Sequence, residues 1–329
     1  MAILLCNKCS YLREVSNEYI GKVVKCPVCK DPVSIHNAEA FVKNVIRKYK
    51  MLHKKYAELK AEMETESEVL ESIELALDED IDLHNTSAMT DQTQYKPIID
   101  WFDKKGIMLD VDAKKIDTQG FFDEIAVALG ENYELLKDVN DRIKKTQRKG
   151  YTSVTLAISN YSQKEIQALT KYCKELYDFS FVTKYFYNKA EKRIHLTLQQ
   201  SPAVVSFFNG EWFEWFVFMK LLVLFYEKKI PFSALRSFKI HFPNEDKHEV
   251  DVFFLINNKT PLFIECKTGE FRSTIEKYHK LRKRMGIDKQ NFMMLVLGLS
   301  EEQTKGLTSM YEITFVNEKN FVDYFLTLL

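Results

Sequence analysis

Apolar positions recur at spacings of three and four from Ala38 to Leu77: Phe41, Val45, Tyr49, Leu52, Tyr56 and Leu59, then Met63, Leu70, Ile73 and Leu77. That period predicts one long helix, either a coiled coil or an extended connector. The polar stretch Leu83 to Gln94 reads as a linker. Beyond it the pattern predicts helices over 97–105, 119–129 and 133–149, the last ended by Gly150 in a C-cap position. A strand follows over 153–158, then a helix over 162–177 opened by a Ser162/Glu165 capping box. Residues 179–187 and 192–198 form a hairpin turned at Asn188 and Lys189. From residue 210 the chain becomes apolar over long runs. These predict a helix over 210–229, a strand over 234–242, strands over 250–256 and 261–267 joined by a polar turn, a helix over 273–285 and a buried strand over 292–299. A short strand and a last helix follow from Tyr311 on.

Composition narrows the classes. Apolar residues make up 46% and charged residues 29% of the 329, which excludes a disordered chain. Lys+Arg and Asp+Glu are 47 each, so any nucleic-acid surface must be local rather than a bulk basic charge. MAILLC is too short for a signal peptide, and the longest apolar run, Trp215 to Tyr226, is interrupted by Lys220 and too short for a bilayer. A soluble cytoplasmic protein without a membrane partner is expected. GxGxxG, GxxxxGK[ST] and HExxH are all absent, which argues against dinucleotide, Walker-type and zincin chemistry. The acidic run over 58–82 is a solvated face, an oligomerisation arm, or a segment that occupies a basic cleft of the same chain. Arg142, Lys144, Lys145, Arg148 and Lys149 make one helix end basic, suited to phosphate or to the helix dipole.

The N-terminus carries Cys6-x-x-Cys9, sixteen residues, then Cys26-x-x-Cys29. Two such knuckles match a tetrahedral four-thiolate Zn²⁺ site, which is structural rather than catalytic because it is closed. CNKC and GKVVKCPVCK look like a bacterial zinc ribbon, a type that binds nucleic acid or protein. His36 is a bystander, since four thiols already complete the site.

The sharpest signal is HEVDVFFLINNKTPLFIECK, residues 248–267. Apolar strands carry charges only when these are paired, metal-bound or catalytic. Here Asp251 sits in the first strand, and Glu265 and Lys267 end the second on one face. Glu249-Val-Asp251, thirteen residues, then Glu265-Cys-Lys267 resembles the motif of the PD-(D/E)xK, or restriction-endonuclease-like, nucleases. With GEWFEWFVF before it, the stretch over 205–300 is similar to the C-terminal nuclease domain of CRISPR-linked ancillary nucleases activated by cyclic oligoadenylate. Those nucleases carry a Rossmann-like sensory domain, where this chain has a ribbon, a helix and a small module.

The chain reads as multidomain α/β: zinc ribbon 1–36, long helix 37–82, linker 83–94, a small α/β module of winged-helix-like or other type over 95–199, and over 200–329 the nuclease domain with a mixed central sheet that the resemblance implies. The resemblance also bears on function. It implies metal-dependent hydrolysis of nucleic acid, DNA ahead of RNA, in anti-phage or anti-plasmid defence. The alternative is an inactive nucleic-acid-binding or scaffold protein on the same fold. Asp251, Glu265 and the backbone carbonyl of Cys266 would hold Mg²⁺ or Mn²⁺, hard ions that prefer oxygen. Glu214 would extend that set or else be an ordinary exposed residue, and Glu249 would support it. Lys267 would orient or deprotonate the attacking water, its pKa lowered by burial near the metal, or stabilise the transition state. The Cys266 thiol is core filler. Arg272, Lys277, Lys280, Arg282, Lys283 and Arg284 would hold the nucleic-acid backbone, with Tyr278 and His279 stacking on or contacting a strand. A homodimer presenting two sites, and a protein partner or activating ligand at the N-terminal or middle region, are compatible with this reading.

Overall fold

The computed structural model describes all residues except 7, 10, 44, 45, 48, 51–91, 113–120, 244–246 and 329. The chain forms two compact units. One takes its described residues from Met1–Asp78 and Tyr133–Phe208, the other from Glu79–Asn132 and Asn209–Leu329.

The first unit begins with strands β1 (Ala2–Leu5), β2 (Leu12–Val15), β3 (Val23–Lys25) and β4 (Pro32–Asn37). They pair antiparallel in the order β2-β1-β4-β3. Ala2, Leu4, Val33 and Ile35 bury with Cys6 and Cys26 in a core of very few residues, a size that rarely folds without a staple. Gly21 has a φ of 78°, and a Cβ on it would lie 2.1 Å from Gln199 Nε2, so the loop side chain of Gln199 occupies the space that glycine leaves. Helix α1 begins at residue 38 and its described residues reach 50. The rest of the helix expected to Leu77, the acidic run, and residues 83–91 of the linker lie outside the described residues.

The same unit continues with α4 (Tyr133–Arg148), β6 (Ser153–Ala157), α5 (Gln163–Asp178), β7 (Val182–Asn188), β8 (Arg193–Leu198) and the short α6 (Pro202–Ser206). The expected capping box is present: Ser162 Oγ accepts from the Glu165 N–H, and the Glu165 carboxylate accepts from the Ser162 N–H. The strands pair antiparallel in the order β6-β8-β7. Val154, Leu156, Ile194, Leu196 and Leu198 bury together with Leu136, Val139 and Ile143 of α4 and Leu169, Tyr172 and Leu176 of α5. The alternate positions on the sheet are exposed or half-buried.

The second unit is built on a mixed sheet of β5 (Met108–Asp110), β9 (Phe232–His241), β10 (His248–Ile256), β11 (Thr260–Lys267), β12 (Phe292–Val296) and β13 (Thr314–Val316). The order is β13-β12-β11-β10-β9-β5, with β11, β12 and β13 parallel and the others antiparallel. Both faces are covered, which is why its central strands read as continuous apolar runs. Phe253 meets Trp101 and Phe102 of α2 (Gln92–Asp103), with ring centroids 5.5 and 5.0 Å apart. Its neighbour Phe254 points the other way, to Phe218 and Phe225 of α7 (Trp212–Glu227) at 5.6 and 5.2 Å. Helices α3 (Phe122–Glu131), α8 (Ile275–Met285), α9 (Glu301–Met310) and α10 (Phe321–Leu326) complete the unit. The hairpin turn rests on Asn257 and Asn258, at φ 51° and 54°, a left-handed conformation that asparagine tolerates. Among the described residues, no helix is long and apolar enough to cross a membrane.

Several boundaries differ from the sequence reading. Helix α2 starts at Gln92 and runs through Pro97, where the expected start was Pro97 itself. Proline favours a first helical position, but buried Tyr95 anchors the turn before it, which outweighs the hydrogen bond that Pro97 cannot donate. Helix α9, with its own Ser300/Gln303 capping box, and the three-residue β5 were not anticipated. The helix expected from Gln119 begins at Phe122; Gln119 itself lies outside the described residues, as do residues 244–246 of the expected turn before the hairpin. Residues 92–132 join the C-terminal sheet, because β5 pairs with β9 and α3 packs on α7. The sequence partition at 199/200 divides what these contacts unite.

The α3–α7 seam depends on Gly130, where a Cβ would lie 2.3 Å from Cδ2 of the Phe216 ring. Gly130→Ala forces that ring aside and should lower the unfolding free energy by about 1–3 kcal/mol, read as a lower urea midpoint at unchanged slope.

Candidate active site and metal centre

Strand alternation places Asp251 on β10 and Glu265 and Lys267 on β11 on one face of the sheet. The β10–β11 ladder runs from Ile256↔Thr260 to Val252↔Ile264, so continuing it one step sets Asp251 opposite Glu265. There the side chain takes over from the ladder: Asp251 Oδ2 accepts the Cys266 N–H at 2.8 Å. Ser237, the position of β9 facing Asp251 in the adjoining ladder, is left-handed at φ 51°.

Both carboxylates are buried, Asp251 at 8% and Glu265 at 1% exposure. Glu265 Oε1 accepts from Lys267 Nζ and from the Tyr278 hydroxyl of α8. Its Oε2 is buried with no hydrogen-bond partner. Burial first, then the charges of Glu265 and Glu214, hold the Asp251 carboxyl well above the usual range, with Lys267 and the Cys266 N–H opposing. Burial also raises Glu265 against the pull of Lys267 and Tyr278. Burial pushes the Cys266 thiol up as well, which suits a packing role and not a nucleophile.

Glu214 enters from the first turn of α7. Arg236, opposite Val252 on β9, donates to Glu214 Oε2 at 3.2 Å and lies over the Trp215 ring at 3.7 Å. Burial raises the Glu214 carboxyl to about 8; Arg236 lowers it, and Glu211, Glu249 and Glu265 raise it further. Gly210, just before the helix, has a φ of 149°, and a Cβ there would touch Thr268 Oγ1 at 3.4 Å. This close approach brings the start of α7 beside the end of β11. Glu249 is exposed near the start of β10, opposite Lys239.

Half-buried Glu214 and buried Asp251 and Glu265 have two cations among them, Arg236 and Lys267. Hard oxygen donors in excess of cations, one of them an orphaned buried oxygen, fit a divalent ion such as Mg²⁺. Among the described residues, however, only the cysteines bring three or more ligand atoms within 4.8 Å of one another. Glu214 is held by Arg236 and does not close with Asp251 and Glu265 into so tight a set.

The protein's own groups act on Lys267 in opposite senses: burial lowers its pKa, but Glu265, its hydrogen bond and Asp251 outweigh that and raise it above the usual lysine value. Two sequence expectations change. Tyr278, expected to stack on or contact a strand, is buried at 4% and serves as a hydrogen-bond donor to Glu265. Arg282, expected on the basic surface, is tied to the Ile287 carbonyl at 3.0 Å and to Glu312 at 3.3 Å. Arg272, Lys277, Lys280, Lys283 and Arg284 are exposed on or beside α8, although Arg284 lies over the Phe242 ring at 3.6 Å. Arg236 was missed as a site residue, and Tyr278 was singled out for a different role. An arginine within the apolar run FSALRSFKI carried the same signal that singled out Asp251; nothing local in the sequence marked Tyr278 as a partner of Glu265.

The thiols of Cys6, Cys9, Cys26 and Cys29 gather within 4.8 Å of one another, with Cys6 and Cys29 at 3.3 Å and Cys9 and Cys26 at 3.6 Å. The cluster can bind a metal such as zinc. Burial alone would raise the Cys26 thiol, but N–H groups of Cys29 and Val28 and the neighbouring thiols bring it down to about 6. Cys29 receives an N–H from Asp31 that lowers it, yet burial and its three neighbours push it up to about 12. Four thiols this close cannot all ionise without a cation among them, which is the fit a metal supplies. His36 stands outside the cluster, stacked on Phe41 at 5.9 Å.

No family model and no curated protein matches this sequence. Solved structures similar to it include protein VC1899 from Vibrio cholerae, 17% identical with a TM-score of 0.47 over 70% of this chain and 60% of that one, and Can2 from Sulfobacillus thermosulfidooxidans in complex with cyclic tetra-adenylate, 16% identical with a TM-score of 0.48 over 70% and 59%. The chain thus spans about three fifths of the length of these structures.

Two outcomes are expected. Elemental analysis should find close to one zinc per chain, and Cys26→Ser should lose it together with the fold of the ribbon. A carboxyl raised in the folded state, as Glu214 is, adds stability that is present below the usual carboxylate range and lost as pH rises through about 8. In EDTA, Glu214→Gln should therefore gain stability relative to wild type as pH rises from about 5 to about 8, and then level off; urea midpoints at each pH measure the difference.

Proposed function

We propose that the chain hydrolyses phosphodiester bonds of nucleic acid with Mg²⁺ or Mn²⁺, DNA ahead of RNA, in defence against phage or plasmid. The observation that carries this reading is the pair Asp251 and Glu265, buried opposite one another in an apolar sheet, with Glu265 Oε2 unpartnered. A structural role accounts poorly for it, because an unpaired buried carboxylate oxygen costs on the order of 1–3 kcal/mol or more.

Asp251, Glu265 and the Cys266 carbonyl would hold the ion, with Glu214 behind them. A bound Mg²⁺ or Mn²⁺ would activate water and neutralise charge on the phosphate. Tyr278 and Lys267 orient Glu265 by hydrogen bonds to one oxygen, leaving the other free to ligate. Lys267, hydrogen-bonded to Glu265 beside the place of the ion, would orient or deprotonate the attacking water or balance negative charge at the phosphate. Asp251 is fixed by the Cys266 N–H. Arg236 keeps Glu214 in place. The exposed cations of α8 supply a surface for the polyanion.

Labelled DNA and RNA incubated with Mg²⁺ or Mn²⁺ should be cleaved, and EDTA should stop the reaction. Asp251→Asn and Lys267→Ala should each lower the rate by ~10²-fold or more, with the folded structure retained by circular dichroism. Absence of metal-dependent cleavage on every substrate, with the variants equal to wild type, would sink the reading.

A further inference from the structure

A second surface, made of residues outside the carboxylate site, has the chemistry of a nucleic-acid platform. The three-stranded sheet β6-β8-β7 buries one face and leaves the other open. Across the open face runs a register row of Thr155, His195 and Phe186. Phe186 is 61% exposed and stacks on His195, with ring centroids 6.1 Å apart and planes at 28°. Thr155 Oγ1 bonds His195 Nδ1 at 3.1 Å and fixes that ring. The row on one side ends at Lys184, and the row on the other carries Arg193.

Thr155 also lines a groove of about 620 Å³ beside α4, with Ser153, Tyr151, Arg142, Lys145 and Lys149. The three cations are exposed and follow one another at three and four residues, so they share a side of the chain. None of them makes an ion pair, whereas Lys171 and Lys174 on α5 pair with acids four residues away. Asp138 and Asp141 also line the groove, and Asp138 accepts from the Tyr161 hydroxyl at 3.3 Å. Uncommitted cations and hydroxyls suit phosphate oxygens, while exposed rings suit the π-faces of bases. A duplex hides those faces, and the ring of charge makes the surface unsuited to an apolar helix.

We propose that this sheet face and its groove bind single-stranded nucleic acid, with Phe186 and His195 stacking bases and Arg142, Lys145 and Lys149 holding phosphates. The site needs neither the cleavage chemistry nor its metal. Fluorescence anisotropy of the full chain in buffer without Mg²⁺ or Mn²⁺, with a labelled mixed-sequence oligonucleotide as a single strand and as a duplex, tests it. The single strand should bind more tightly than the duplex. Phe186→Ala should weaken single-strand binding about tenfold, and Phe186→Tyr should retain it, as expected of a stacking ring at an exposed position. Arg142→Glu with Lys145→Glu should flatten the slope of log affinity against log salt by about 1.4, two phosphate contacts at roughly 0.7 each. Wild-type affinity and slope in these variants, or a duplex bound as tightly as the single strand, would overturn the proposal.

Discussion

Carboxylates in an apolar sheet are the constraint around which the second unit is arranged. A buried, ionised group is tolerated only with a partner of opposite charge or a full set of hydrogen bonds. Each partner here comes from a different element. Strand β9 sends Arg236 to Glu214, β11 turns its own N–H toward Asp251, and α8 reaches back with Tyr278 to Glu265. The aromatic layers follow from the same need. Phe253 and Phe254 seat helices on opposite faces of the sheet, and it is these helices that exclude water from the charges. Compensation stops one oxygen short, at Glu265 Oε2.

The thiol cluster answers a different shortage. The N-terminal four-stranded sheet has too few apolar residues to hold itself by burial, and four sulfurs in a small volume would let a coordination sphere stand in for a core. Soft sulfur at one place and hard oxygen at the other would sort ions by type, so the two sites need not compete for the same metal.

Much of this was legible in the sequence because local rules dominate locally. The CxxC pairs, the Ser162 capping box, the Asn-Asn turn and the charges of β11 each stand on neighbours within a few residues. What escaped depends on distance along the chain. Tyr278 is an ordinary helix residue until α8 folds over Glu265, and its hydroxyl then finds a carboxylate thirteen positions away. Strand β5 has three residues and no period to read; its identity comes from β9 alone.

The interleaved course of the chain bears on how it is made. A ribosome releases β5 more than a hundred residues before β9, the strand that gives β5 its place in the sheet. Meanwhile the whole of α4 through β8, which belongs to the other unit, is synthesised in between. Neither unit can then finish folding as a contiguous stretch leaving the exit tunnel, and the apolar residues of α2 and α3 wait in an unfinished state for the sheet that will cover them.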